Sequence, residues 1–286
     1  MRPRRDFAMQ LSRRRWIQLG LAALCAPAGL VRAGKTYSFG IVPQESASLM
    51  AESWTPVLNA LAQRSGLALT FSTAPDIPTF EKRVAAGEYD FVYMNPYHFT
   101  VFNAMPGYHA LARAKSERLR GIVVVRKDSP YKELKDLTGA AIAFPSSASF
   151  AATLVIQADL RKHGIAFEPK IVKSHISVYL DVAKGLYPAG GGVPRTFKLL
   201  DDSVARELRI LYTSADYTSH AIASRPGMDA ATRDKLLKAM LAMSQDAASL
   251  EMLQGIGFKG FEAAADRDWD DVRALGIRPA DSQIQK

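Results

Sequence analysis

Apolar residues along the chain fall into two patterns, short alternating or β-branched runs and longer segments with helical spacing. The strand-like runs are 37–42, 67–71, 91–94, 121–125 and 141–144. The helix-like segments are 54–62, 79–86, 150–163, a segment that follows His175, and the region from Asp229 onward. Strands that alternate with helices predict an α/β fold of mixed, mostly parallel sheets with helices on both faces.

The order of these elements predicts two lobes. Residues 182–187, Val-Ala-Lys-Gly-Leu-Tyr, echo residues 84–89, Val-Ala-Ala-Gly-Glu-Tyr, as two similar lobes would. Helices return at the C-terminal end, which indicates that the first lobe is discontinuous. The predicted first lobe comprises residues 35–120 plus 213–286, and the second comprises residues 121–212. A ligand cleft is expected between them.

Residues 1–33 have the pattern of an export signal. Six arginines precede an apolar run at 16–31 that is too short to span a bilayer comfortably, and Ala33 ends a small-residue cleavage signal. Residues 12–17, Ser-Arg-Arg-Arg-Trp-Ile, resemble the twin-arginine export motif. We therefore expect cleavage near Ala33 and a periplasmic location. The alternative is an uncleaved amphipathic anchor at the membrane surface.

Removal of the leader changes what the composition implies. It takes away seven arginines and one aspartate, so the net charge falls from +9 to +3, and the case for a nucleic-acid partner weakens. The only cysteine, Cys25, is lost as well, which excludes disulfides and thiolate metal sites from the mature chain. The remaining 253 residues suffice for one large or two modest α/β domains.

Polar aromatic residues gather where the strand 91–94 ends. The chain delivers Tyr93, Asn95, Tyr97 and His98 to the carboxyl end of this strand, because Asn95-Pro96 stops it. In open parallel sheets this edge is where ligands bind, so these residues are candidate ligand contacts. The alternative is that the tyrosines only bridge the core and the solvent.

A second group of candidates offers donors for an anion. Ser146, Ser147 and Ser149 lie between a predicted strand and the start of a helix, where hydroxyls, free backbone N–H groups and the helix dipole favour negative charge. The alternative is a capped helix with a polar lead-in. His175 precedes another helix and has either a binding or a structural role. Arg195 follows three glycines at a further strand end, or in a flexible turn, and its guanidinium can fork onto an oxyanion.

The sequence lacks the signatures of an enzyme. It contains no nucleophile-elbow motif, no metalloprotease helix and no dinucleotide or P-loop fingerprint, and its five histidines are scattered. The acidic residues Glu88 and Asp90 have no evident catalytic partner close in sequence. We therefore predict a binding protein without a cofactor, a metal ion or catalytic residues.

Several separated segments together resemble one family, the phosphate/phosphite/phosphonate-binding proteins of bacterial ABC transporters. These segments cover nearly the whole mature chain: 41–44 with the helix that follows, 74–80, 87–97, 145–149 and 174–175. The resemblance implies a two-lobed type II periplasmic-binding-protein fold that closes over a small oxyanion. It also implies a transporter permease as partner, and a monomer. The ligand contacts that the resemblance implies are Tyr93, Ser146, Ser147, Ser149 and His175. The full set of expected ligand contacts adds Gln44, Asn95, Tyr97 and Arg195.

One segment departs from the family pattern. Pro-Ala-Gly-Gly-Gly at 188–192 replaces the Ala-Asp-rich strand of the family, so the usual acidic partners for the amino group of an aminoalkyl phosphonate have no clear match. A small oxyanion of the phosphate, phosphite or phosphonate type is therefore the expected ligand. Two alternatives are a sensor that presents a phosphorus or sulfur oxyanion to a membrane histidine kinase, and an enzyme built on the same fold.

Overall fold

The computed structural model describes residues 35–172 and 174–277, and the predicted leader with its cleavage site lies outside the described residues. The strands are β1 (Thr36–Ile41), β2 (Ala68–Ser72), β3 (Phe91–Met94), β4 (His109–Ala114), β5 (Arg118–Leu119), β6 (Ile122–Arg126), β7 (Ala141–Phe144), β8 (Glu168–Ile171), β9 (Ala189–Gly192), β10 (Leu208–Thr213), β11 (Tyr217–Thr218), β12 (Ala221–Ser224) and β13 (Phe261–Ala263). The helices are α1 (Ala47–Ser65), α2 (Ile77–Ala85), α3 (Pro96–Ala104), α4 (Ile156–Lys162), α5 (His175–Ala183), α6 (Pro194–Lys198), α7 (Asp202–Ala205), α8 (Ala230–Met243), α9 (Ala247–Gln254) and α10 (Asp270–Arg273). None of these helices is long and apolar enough to cross a bilayer.

The strands form two mixed sheets. The first sheet has the order β13-β4-β12-β3-β1-β2, in which β1, β2 and β3 are parallel and β12 is antiparallel to β3 and β4. The second sheet has the order β10-β6-β9-β7-β8, in which β7, β8 and β9 are parallel. The chain thus leaves the first sheet after β4, builds the whole second sheet, and returns at β12. That each sheet moves as one lobe stays a prediction.

Two short chain segments connect the sheets. In these segments β5 and β11 pair as an antiparallel ribbon. Next to the ribbon, the N–H of Gly121 donates to Oγ of Ser214 at 2.9 Å, and the N–H of Ser214 donates to the carbonyl of Gly121 at 3.0 Å. The two connecting segments, which continue into the sheets along the chain, are therefore also hydrogen-bonded to each other.

Polar side chains fix where the main helices begin. Ser46, Asp76, Asn95 and Ser174 each accept a hydrogen bond from a backbone N–H of the first turn, in α1, α2, α3 and α5 respectively. Such a cap stabilises a helix by about 1 kcal/mol. Because of its cap, α1 begins at Ala47, seven residues before the predicted start at residue 54. It ends where predicted, at Gly66, whose φ of 69° suits glycine.

The predicted helix at 150–163 has an irregular start. Residues Phe150–Val155 form a π-helical turn that runs into α4. The carbonyl of Ser149 accepts from the N–H groups of both Thr153 and Leu154, each at 3.1 Å. Apolar periodicity alone predicts a regular helix here, so the widened turn is a feature that the sequence did not reveal.

Candidate functional site

The carboxyl edge of the first sheet gathers residues from several distant segments. Strand β3 ends there, so Tyr93 is its penultimate residue and Asn95 follows it. Because β12 is antiparallel and Ala221 pairs with Met94, the chain just before β12 brings His220 to the same edge. Strand β4 runs in the direction of β3, and Glu117 lies three residues beyond its end.

The rings of Trp54, Phe258 and His220 pack against Tyr93 and are here called the aromatic wall. The ring centroid of Tyr93 lies 5.0 Å from that of Trp54 and 5.7 Å from that of Phe258. The ring of His220 stacks on Tyr93 at 4.9 Å with an interplanar angle of 17°. Nε2 of His220 lies 2.9 Å from Nε2 of Gln44. Since an amide nitrogen donates, His220 accepts at Nε2 and carries its proton on Nδ1.

The surroundings keep these rings uncharged at neutral pH. Burial raises the pKa of Tyr93, the charge of Glu117 raises it further, and the charge of Arg195 lowers it. Burial lowers the pKa of His220 to about 3, with a smaller contribution from His98. Tyr93 therefore retains its O–H as a hydrogen-bond donor, and His220 acts as a neutral imidazole.

The carboxyl edge of the second sheet holds the remaining candidates. Strands β7, β8 and β9 are parallel, so the segments that follow them share one edge. The segment after β7 carries Ser146, Ser147 and Ser149, the segment after β8 leads to His175, and the segment after β9 leads to Arg195.

Residues 145–149, here called the serine loop, are held mainly by hydrogen bonds to their backbone carbonyl groups. Oγ1 of Thr153 donates to the carbonyl of Ser146 at 2.7 Å. Ser149 occupies the N-cap position, yet its side chain makes no capping hydrogen bond. A plain side-chain cap therefore does not account for Ser149.

Two contacts join the edges of the two sheets. Nδ2 of Asn95 donates to the carbonyl of Ala148, inside the serine loop, at 3.3 Å. Arg195 approaches Gly257, so closely that a Cβ at position 257 would lie 3.3 Å from Nη1 of Arg195. Gly257 follows α9, one residue before Phe258 of the aromatic wall. Asn95 at the edge of the first sheet therefore contacts the segment that carries the serines, and Arg195 lies beside the segment that carries Phe258.

His175 is the first residue of α5, which Ser174 caps. Burial lowers its pKa, so the ring is neutral at pH 7. Its Nδ1 is buried and has no hydrogen-bond partner in the described parts of the chain. The edge position agrees with a ligand contact, and the meeting of His175 with Tyr93 across the cleft stays a prediction.

His98 and Tyr97 lie in the first turn of α3. His98 was expected at the edge with Tyr93, but this expectation is wrong, because His98 is fully buried and its Nε2 donates to Oε1 of Glu81 at 2.9 Å. Tyr97 is also buried, and its carbonyl accepts from the hydroxyl of Thr100 at 2.9 Å. Asn95 sets both positions, since its side chain caps the helix at the N–H of His98.

Sequence reasoning missed part of this site. Glu117, Trp54, Phe258 and His220 were not candidates, although all four surround or influence Tyr93. One signal was available for His220, since the polar Thr-Ser-His at 218–220 directly precedes the apolar run Ala-Ile-Ala at 221–223.

Comparison with known proteins gives consistent matches. A family model described as the periplasmic substrate-binding protein of phosphonate ABC transporters matches residues 39–269. The phosphate-import protein PhnD of Mycolicibacterium smegmatis is 24% identical over 280 residues, covering 86% of this chain and 81% of that protein. The phosphonates-binding periplasmic protein of Escherichia coli is 21% identical over 281 residues, covering 90% and 80%.

A solved structure extends the comparison to the fold. PhnD1 from Prochlorococcus marinus, in complex with methylphosphonate, superimposes with a TM-score of 0.71 at 14% identity. The alignment covers 85% of this chain and 97% of that chain. The similarity extends over nearly all of both proteins, so the two mixed sheets flanked by helices match a known binding-protein architecture.

Proposed function

The chain belongs to the family of periplasmic substrate-binding proteins of phosphonate ABC transporters, and from this membership we propose that it binds a phosphate-, phosphite- or phosphonate-type oxyanion between the edges of its two sheets. The family, the fold class and the role of binding protein rather than enzyme were predicted from the sequence, and the matches confirm them. The choice of oxyanion and the residues that hold it are the proposal.

The observation that carries the proposal is the approach of Arg195 to the aromatic wall of Tyr93. In the proposed complex the guanidinium of Arg195 forks onto two ligand oxygens. The protonated hydroxyl of Tyr93 donates from the opposite edge. The hydroxyls and backbone N–H groups of the serine loop supply further donors, beside the positive end of the helix that follows.

His220 and Gln44 support this arrangement without a charge of their own. The stacked imidazole holds the ring of Tyr93 in place, and Gln44 holds the imidazole. Asn95 links the edge to the serine loop through Ala148. Each contact restricts a donor before the ligand arrives, which reduces the entropy lost on binding.

The proposal includes a partner and a route. The leader would be cleaved near Ala33 during export, and the protein would bind as a monomer and deliver the oxyanion to the membrane permease of its transporter. A sensor for a histidine kinase would require the same closed receptor, and membership of a transporter family favours delivery. Cross-linking in membranes that contain both proteins, followed by purification of the cross-linked product, would identify the permease.

Removal of one loop hydroxyl tests the proposed site. We expect Ser147→Ala to weaken methylphosphonate and phosphate binding by roughly tenfold to 100-fold, because a hydrogen bond to a charged group is lost. Calorimetric titration measures the change. Ser203→Ala, in exposed helix α7, is the matched control and should bind as the parent protein does.

A thermal-shift panel tests the ligand class. A ligand that binds only the folded state raises the melting temperature. Phosphate, phosphite and methylphosphonate are expected to raise it, in contrast to amino acids and sugars. The proposal would be abandoned if none of these oxyanions produced a shift, or if Ser147→Ala bound all of them as tightly as the parent protein.

A further inference from the structure

Glu117 places a carboxylate beside the proposed oxyanion site. It lies in the tight connection between β4 and β5, after Ser116, whose φ of 57° turns the chain sharply. Its N–H donates to the carbonyl of Ala114 at 3.4 Å. Oε2 of Glu117 is buried and has no hydrogen-bond partner in the described parts of the chain.

This carboxylate acts electrostatically on the same groups that are proposed to hold the ligand. Its charge raises the pKa of Tyr93. Burial raises the pKa of Glu117 itself, and the charge of Arg195 offsets only part of this rise. A carboxylate repels an oxyanion, so its presence at an anion site requires an explanation. The nearby charge of Arg195 does not explain it fully, because Oε2 of Glu117 has no hydrogen-bond donor in the described parts of the chain.

The chemistry of a carboxylate oxygen defines what it could bind. An ionised carboxylate only accepts hydrogen bonds, and a buried acceptor without a donor is unfavourable. Near neutral pH, phosphate and alkylphosphonates retain a P–OH proton on a substantial share of molecules. Sulfate and sulfonates have the same tetrahedral shape but carry no proton. A ligand with a P–OH group could therefore satisfy Oε2, whereas a sulfur oxyanion would only be repelled.

We propose that Glu117 is a specificity-determining residue that accepts a hydrogen bond from the P–OH group of the ligand and so selects protonated phosphorus oxyanions over sulfur oxyanions. This inference rests on the proposed function, since it requires an oxyanion in the site. In this arrangement Arg195, Tyr93 and the serine loop recognise the unprotonated oxygens, and Glu117 recognises the protonated one. Selection arises because the wrong ligand leaves a buried carboxylate unpaired.

A matched pair of ligands isolates the P–OH group. Methylphosphonate monoanion and methanesulfonate have the same charge and nearly the same shape, and they differ by one proton donor. We expect the parent protein to bind methylphosphonate at least about 100-fold more tightly than methanesulfonate, as measured by calorimetric titration. Phosphate and sulfate should give a preference in the same direction.

The variant Glu117→Gln tests the role of the carboxylate. The glutamine amide removes the negative charge and can donate to a sulfonate oxygen, so the preference for methylphosphonate should fall by about tenfold or more, with tighter binding of methanesulfonate. Glu117→Ala, which removes both the charge and the acceptor, should also reduce the preference. Glu251→Gln, at an exposed position of α9, is the control and should leave the preference unchanged.

The outcomes separate this inference from the proposed function. If the parent protein binds neither phosphate nor methylphosphonate, the proposed function itself fails. If it binds them, and Glu117→Gln and Glu117→Ala retain the full preference over methanesulfonate, the role of Glu117 is disproved while the oxyanion site stands. Melting temperatures of both variants at or above that of the parent protein are expected, because removal of a buried unpaired charge does not destabilise the fold.

Discussion

At the scale of single residues, His220 shows how the site changes an ordinary side chain. Its ring stacks on Tyr93 and its Nε2 accepts from Gln44, and burial lowers its pKa from 6.5 to about 3. In the unfolded chain the imidazole regains its usual pKa. Between about pH 6.5 and 3, the unfolded state therefore binds a proton that the folded state does not.

This difference predicts a loss of stability in acid. Because the unfolded state binds more protons in that window, the free energy of unfolding falls as the pH falls, by about 2 kcal/mol between pH 7 and pH 5 from His220 alone. Urea unfolding at the two pH values measures the loss. The variant His220→Gln should lose less stability than the parent protein over the same interval.

A control identifies the source of the effect. His163→Gln removes an exposed imidazole and should retain the pH dependence of the parent protein. Half-buried His175 has a lowered pKa and contributes in the same direction, so His220→Gln is expected to reduce the pH dependence and not to abolish it. Equal pH dependence in His220→Gln and the parent protein would contradict a half-buried, neutral His220.

Residue-level prediction from the sequence succeeded where the evidence was local. Tyr93 and Asn95 lie at the strand end that their own segment indicated. His220 reaches the same edge only because β12 pairs antiparallel with β3, and no local pattern encodes that pairing. His98 was placed wrongly because a position in the first turn of α3 does not show which side chains face the core.

At the scale of elements, β9 packs so closely against its neighbours that its glycines leave no room for a side chain. The alternative that its glycines form a flexible turn is wrong, since Ala189–Gly192 is a fully buried strand. A Cβ at Gly191 would lie 2.2 Å from the carbonyl oxygen of Ala152 and 2.6 Å from the ring of Phe144. The π-helical turn thus packs directly on the strand backbone, and glycine is required for the close approach.

This packing gives a stability prediction. We expect Gly191→Ala to lower the free energy of unfolding by about 3 kcal/mol, because the added methyl group meets backbone that cannot move aside easily. Gly164→Ala is the comparison, since nothing lies within 4 Å of its Cβ position and its φ of 69° costs only about 1 kcal/mol. Urea denaturation should rank the two in that order, and equal losses would refute the close packing.

Element prediction was most reliable for apolar runs with clear ends. Strands β3 and β7 have the predicted bounds, because Asn95-Pro96 and the serine loop stop them. The pair β5 and β11 has two residues in each strand, too few for any periodicity. Strand β9 has only the methyl group of Ala189 and three glycines, which form no pattern, so its position could be inferred only from its surroundings.

At the scale of the whole molecule, a receptor that opens and closes stays a prediction, and two chain connections between the sheets are compatible with it. A ligand that contacts both sheets binds the closed state more tightly and thereby shifts the population toward it. The resemblance predicted this architecture from scattered segments. The sequence could not predict the contact of Asn95 with Ala148, which depends on how the two edges face each other.

The role of His175 is tested by closure as well as by affinity. We expect His175→Ala to weaken methylphosphonate binding by roughly tenfold, because one hydrogen bond to the ligand is lost, and to reduce ligand-induced compaction in solution scattering. The unliganded melting temperature should remain that of the parent protein. A purely structural histidine would give the reverse result, a lower melting temperature with nearly unchanged affinity and compaction.

The packing of Tyr179 against Gly192 limits how ligand preference could evolve. A Cβ at position 192 would lie 2.2 Å from Oη of Tyr179, and that hydroxyl accepts from the N–H of Val193 at 3.2 Å. A substitution at position 192 therefore cannot introduce an acidic side chain unless Tyr179 is displaced. A directed-evolution library that seeks recognition of an amino group at position 192 therefore has to vary Tyr179 together with Gly192, because the two positions are sterically coupled.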